Sequence, residues 1–105
     1  MTLAEALQEM MNSFNPARAK GVNAVVQLNA TGEGGGAYHI KVADNQCELT
    51  EGAAPSPTVT IEVAAQDWID ILAGKLDPTR AFMSGKLRIK GDLGLMMRFQ
   101  SMFGR

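Results

Sequence analysis

The chain has 105 residues, 46% hydrophobic and 20% charged, the make-up of one folded domain of ordinary size, which leaves no room for a second domain or for long disordered tails. Ten Lys and Arg stand against eleven Asp and Glu, so a net charge of -1 provides no long-range field to gather nucleic acid or an anionic bilayer. With one cysteine, Cys47, and one histidine, His39, an internal disulfide and a four-ligand zinc site are excluded, and a reducing compartment fits.

Thr2 followed by Glu5 is a capping box, and Leu3, Ala6, Leu7, Met10, Met11 and Phe14 recur at helical spacing, which predicts a first helix ending at Asn15 before Pro16. From Val22 the period becomes two. Val22, Ala24, Val26, Leu28 and Ala30 share an inward face, and Asn23, Val25, Gln27, Asn29 and Thr31 the outward one. The glycine-rich turn from Gly32 to Gly36 leads to a second strand with Tyr38, Ile40 and Val42 inward and His39 and Lys41 outward. Asp44-Asn45 turns into a short third strand carrying Cys47 and Leu49, and a loop from Gly52 to Pro57 precedes a fourth with Val59, Ile61 and Val63. The expected sheet is largely a meander.

Helical spacing returns after Ala65, with Trp68, Ile71, Leu72 and Leu76 on one side and Asp67 and Asp70 on the other. Asp77-Pro78 opens a short helix that carries Phe82 and Met83 to Gly85, Asp77 as its N-cap. A fifth strand spans Lys86 to Lys90, and Gly91-Asp92 starts a last helix through about Phe103. The expected architecture is α+β: a single five-stranded, largely antiparallel sheet with helices packed on one face.

Familiar chemistries fail on context. Gly32, Gly34 and Ala37 match the dinucleotide pattern G-x-G-x-x-A, but they join two strands, whereas that pattern works at the start of a helix. His39 alternates onto the solvated face, and Cys47 points inward with no base beside it in the pattern. Asp67 and Asp70 sit on the wet face near a helix N-terminus, where carboxylates suit the dipole. No catalytic set, metal site or cofactor is expected. Lys86, Arg88 and Lys90 form one basic stripe, with Arg98 and Arg105 near in sequence; it either protects an edge strand or makes a weak contact with phosphate, of a bilayer head group or of the CoA of an acyl-CoA. No aromatics interleave the stripe, so nucleic-acid binding is not expected.

The last helix is too apolar for a helix with one buried face. Leu93, Leu95, Met96, Met97, Phe99, Met102 and Phe103 cover roughly 220° of it, where a core-facing stripe needs little more than 100°. Gln100 falls inside that arc, and a buried amide there needs a polar partner. The second apolar front can meet a neighbouring helix, a partner protein or membrane, or a lipid-filled cavity. The seven methionines, against six aromatics, suit a wall of adaptable shape.

The residues themselves resemble a known family. "FNPARAKGVNAVVQLNATGEGGGAY", "CELTEGAAPSPTVTIEV" and above all "GKLDPTRAFMSGKLRIKGDLGLMMRFQSMF" are similar to the sterol carrier protein type 2 domain, from Phe14 to Phe103. The resemblance implies a free-standing, non-catalytic lipid-binding and transfer domain over residues 1–105, with an apolar tunnel for fatty acyl, acyl-CoA or sterol-like ligands. It puts the tunnel wall on Trp68, Ile71, Leu72, Phe82, Met83, Leu95, Met96, Phe99 and Gln100, and allows transient membrane contact. The alternative is an accessory module that docks its last helix on a partner enzyme or membrane. The chain opens without a basic stretch leading into an apolar one and ends in Gly104-Arg105, unlike a peroxisomal tripeptide, so the expected location is the cytoplasm.

Overall fold

In the computed structural model, which describes residues 1–103, the first helix starts as its sequence dictates. The Thr2 hydroxyl accepts from the Glu5 N–H at 3.1 Å, and the Glu5 carboxylate accepts from the Thr2 N–H at 2.9 Å. Helix α1 (Leu3–Asn12) then buries Leu3, Ala6, Leu7 and Met10. It stops short of Asn15 because the Ser13 hydroxyl donates to the Met10 carbonyl at 2.7 Å and closes the last turn. Asn15 instead caps a 3₁₀ turn, Pro16–Ala19, which the spacing of apolar residues does not reveal.

The thermodynamic sign of the cap follows from its bonds. The Thr2 N–H, and then the Thr2 hydroxyl, hold the Glu5 carboxyl below the usual glutamate range. Its contribution is therefore complete above that range and fades as the pH falls through the lower native value. Thr2→Ala should cost about 1 kcal/mol at neutral pH. Denaturant titrations at pH 7 and pH 3 should show this difference shrinking in acid; a difference that stays the same would mean that the Glu5 side chain is not part of the cap.

The strands are β1 (Ala24–Thr31), β2 (Gly36–Ala43), β3 (Gln46–Glu51), β4 (Val59–Ala64) and β5 (Leu87–Gly91). Their order in the sheet is β3-β2-β1-β4-β5. Three of the pairings are antiparallel, while β1 and β4 run parallel. The expected meander therefore holds from β1 to β3 and breaks at β4, which crosses to the free side of β1. The crossing places the two most apolar strands at the centre, where Val26, Leu28, Val59 and Ile61 are buried.

Residues 52–58 make that crossing over the outer face of the sheet. The Gly52 N–H donates to the Ala37 carbonyl at 2.8 Å, and the Thr58 N–H to the Val25 carbonyl at 2.8 Å. Gln27, expected on a wet face, is only 3% exposed; its Oε1 accepts from the Ala54 N–H at 2.7 Å and its Nε2 donates to Asn29 at 3.0 Å. His39 is half-buried by the same segment, its Nδ1 3.0 Å from the Gly52 carbonyl, so the expectation of a solvated histidine is corrected.

The inner face carries the helices. Helix α2 (Ala65–Leu72) follows β4 without a loop, α3 (Pro78–Met83) packs near β5, and α4 (Leu93–Met102) follows β5. Asp77 stands at the N-cap of α3 but makes no side-chain cap bond, whereas Asp92 caps α4 by accepting from the Leu95 N–H at 3.0 Å. Buried residues of α1, α2 and α4 join the inward residues of the sheet in one core.

Candidate functional site

The core does not close everywhere. Between α1 and α2 lies a cleft of about 420 Å³ lined by Ala6, Glu9, Met10, Ile71, Leu72 and Phe103 among others. A second, of about 230 Å³, lies deeper, where Met10, Trp68, Ile71 and Leu72 face Leu87, Met96, Phe99 and Gln100. A third, of about 280 Å³, runs between α3 and α4 over β5, with Pro78, Phe82, Leu87, Ile89, Leu93, Met97 and Gln100 in its wall. The first and second share Met10, Ile71, Leu72 and Phe103, and the second and third share Pro78, Leu87, Met96 and Gln100. The space is thus a chain of adjoining open clefts. Among the described residues, no ionisable side chain lines the second or third.

Helix α4 forms one bank of this space and is fastened at its back. The Arg98 guanidinium donates to the Lys20 carbonyl at 2.7 Å, Arg18 donates to the Ser101 carbonyl at 3.2 Å, and the Asn15 N–H donates to the Met102 carbonyl at 2.7 Å. Phe103 packs at a tilt against Phe99, with ring centres 4.8 Å apart, and against Phe14 at 5.4 Å. The 3₁₀ region therefore holds the polar back of α4 at Arg98 and Ser101, and the sheet takes the apolar face at Met96, Phe99 and Met102. Part of the arc meets neither: Leu93 is 51% and Met97 73% exposed at the rim of the third cleft.

Of the residues expected in the wall, Trp68, Ile71, Leu72, Met96, Phe99 and Gln100 meet at the second cleft, and Phe82 joins Met96 and Gln100 at the third. Leu95, half-buried, and Met83, 81% exposed, line neither. The expectation of a buried Gln100 amide is corrected: Gln100 is exposed, so water at the cleft mouth meets its amide. Met10, Leu87 and Phe103 belong to the wall without having been singled out. Their spacing assigns them to inward faces, and an inward face looks the same whether it meets a solid core or a cavity.

The basic stripe lies elsewhere. Leu87 and Ile89 turn toward the clefts, so alternation sends Arg88 and Lys90 to the opposite face of β5. There Lys90 pairs with Glu62 at 3.4 Å, and Arg88 lies opposite Glu62 in the register. Lys86 precedes the strand and is exposed, and Arg105 lies outside the described residues. Burial pushes the half-buried Cys47 thiol up, which leaves less thiolate at neutral pH. Trp68 has the opposite difficulty to Gln100: its Nε1 is sealed from solvent and, among the described residues, has no hydrogen-bond acceptor.

A five-stranded sheet with helices over one face and an apolar space of ligand size between them defines a small α+β binding domain. The model of the SCP-2 sterol transfer family matches residues 3–104, and the chain belongs to that family. A hydroxysteroid dehydrogenase-like protein 2 from Danio rerio is 33% identical over 104 residues, covering 94% of this chain and 25% of its own length. The chain thus spans about a quarter or less of the curated relatives it matches. Among solved structures, a double mutant of the sec-alkyl sulfatase PisA1 superposes with a TM-score of 0.89 at 16% identity, over 100% of this chain and 17% of that one. Palmitated SCP2L2 from Aedes aegypti gives 0.77 at 23% identity, over 96% of this chain and 93% of that one. These two likenesses show a shared fold.

Proposed function

We propose that this chain is a non-catalytic lipid-binding and transfer domain that holds fatty acyl, acyl-CoA or sterol-like ligands in the clefts between α2, α3 and α4. The observation that carries the reading is the wall itself: Trp68, Ile71, Leu72, Met96 and Phe99 converge on space that, among the described residues, no charged side chain lines. Membership of the family, and a palmitated protein of the same fold, support it. A sixteen-carbon chain offers a gross gain of about 12 kcal/mol on burial, before ordering costs, at about 0.8 kcal/mol per methylene. The methionines of the wall let the clefts widen to take it.

Function would then be occupancy and release, with no bond made or broken. Phe82, Met83, Leu93 and Met97 stand exposed on α3 and α4, an apolar rim through which a lipid could pass between a bilayer and the clefts. Lys86, Arg88 and Lys90 fit the protection of edge strand β5 better than contact with a head group, because Arg88 and Lys90 face away from the clefts. A cytoplasmic setting is part of the proposal and rests on the unpaired Cys47. Among the described residues no helix is long and apolar enough to cross a membrane.

Native mass spectrometry of protein purified from cells should find co-bound acyl lipid. Fatty acyl-CoA at about a hundred times its Kd should add about 2.7 kcal/mol, raising Tm by about 10 to 20 °C. Protein that purifies empty and is unmoved by any lipid would refute the carrier. It would favour the second reading, an interaction module, whose support is the exposure of Leu93 and Met97 on α4.

A further inference from the structure

Trp68 is the chain's one tryptophan, and it lies inside, 5% exposed, in the wall of the central cleft. Indole Nε1 can only donate, and a buried donor without an acceptor costs as much as a broken hydrogen bond. Nε1 is such a donor among the described residues. Packing alone gives no use for it, since a phenylalanine ring would contribute an apolar face to this wall without a donor to satisfy. The surroundings also restrict what could accept. Among the described residues, the side chains lining this cleft apart from Trp68 are apolar except for Gln100, and none is ionisable. A carboxylate or phosphate placed there would be a buried charge without a counter-charge. A neutral oxygen carries no such cost.

We infer that Trp68 Nε1–H donates to a neutral oxygen of the bound lipid, an ester or thioester carbonyl or a hydroxyl, so that this oxygen lies in the central cleft and any charged group stays at the mouth. The inference rests on the lipid-binding reading and adds a ligand class and an orientation to it. The alkyl part extends into the flanking clefts, which share Met10, Ile71, Leu72 and Met96 with the central one. An acceptor reaches Nε1 only when the wall yields. Met10 and Met96, with their flexible side chains, are the parts of the wall suited to yield.

With one tryptophan, the ¹H–¹⁵N spectrum holds one indole resonance, which reports on this bond directly. The whole chain is titrated with methyl laurate, dodecanol and dodecane. Methyl laurate or dodecanol should shift the indole proton downfield, the first marking a carbonyl acceptor and the second a hydroxyl, while dodecane binds without that shift. Trp68→Phe should weaken the shifting ligand by about fivefold and leave dodecane within roughly twofold. Methyl laurate and dodecanol both bound with the indole resonance unmoved would overturn the inference and leave the carrier standing. A loss in Trp68→Phe that is equal for dodecane would also overturn it. If none of the three binds, the carrier reading falls and the inference falls with it.

Discussion

Phe99→Ala should lower the stability of the domain by about 3 to 5 kcal/mol, the range for removing a fully buried aromatic ring. Phe99 is the buried residue at the middle of α4, and its ring lies 4.8 Å from that of Phe103, which in turn meets Phe14 at a tilt just ahead of the 3₁₀ segment. Truncation therefore removes a wall of the central cleft and the support of the Phe103 ring together. A domain of this length has only about 5 to 15 kcal/mol to lose, so Tm should fall by some 15 °C or more. Leu93→Ala, on the same helix but half exposed, is the comparison and should stay within about 1 kcal/mol of the parent. Equal small losses from the two variants would show that Phe99 faces space with no structural burden. The helix would then be held by Met96, Met102 and the bonds of Arg98, Arg18 and Asn15.

Gly91→Ala should cost about 2 to 4 kcal/mol, through a mechanism that packing lists do not capture. Gly91 ends β5 just before α4, with φ at +111°, and a Cβ built there would lie 2.6 Å from the Thr58 carbonyl oxygen and 3.1 Å from the Val59 Cα. Those atoms are backbone at the start of β4, the strand that pairs with edge strand β5, and cannot retreat without parting β4 from β5. Gly52 supplies a matched control: its φ is +109°, with nothing within 4 Å of a Cβ. Gly52→Ala should thus show the dihedral strain alone, about 1 kcal/mol. The excess loss at Gly91, measured by urea titration, is the steric part. If the two variants lose the same amount, the close approach to Thr58 is relaxed in solution, and the path that lays α4 across the clefts is looser than its geometry implies.

Most of the elements are legible along the chain because their signals are local. Thr2 with Glu5 and Asp92 with Leu95 need only a turn of helix to form their bonds. The alternation through β1 and β2 reports burial on one face whatever lies next to it. The same locality explains the misses. Ser13 ends α1 through a hydroxyl that apolar spacing ignores, and Gln27 is buried by residues far along the chain. Gln100 shows the converse, since an arc of apolar neighbours along a helix says which way each side chain points and nothing about what stands opposite.

The amino-acid order by itself determined the α+β class, the capped starts of the first and last helices, the inward faces of the strands and the family, because each rests on neighbours within a few residues or on the order of residue types. The tertiary structure alone decided that β4 lies parallel to β1, that residues 52–58 cover His39 and Gln27, and that Arg88 and Lys90 face away from the clefts. It also decided which inward side chains meet solid core and which meet space. Those outcomes depend on contacts between segments distant in sequence, and hydrophobic periodicity, which measures burial, assigns the same pattern to a packed interior and to the wall of a cleft.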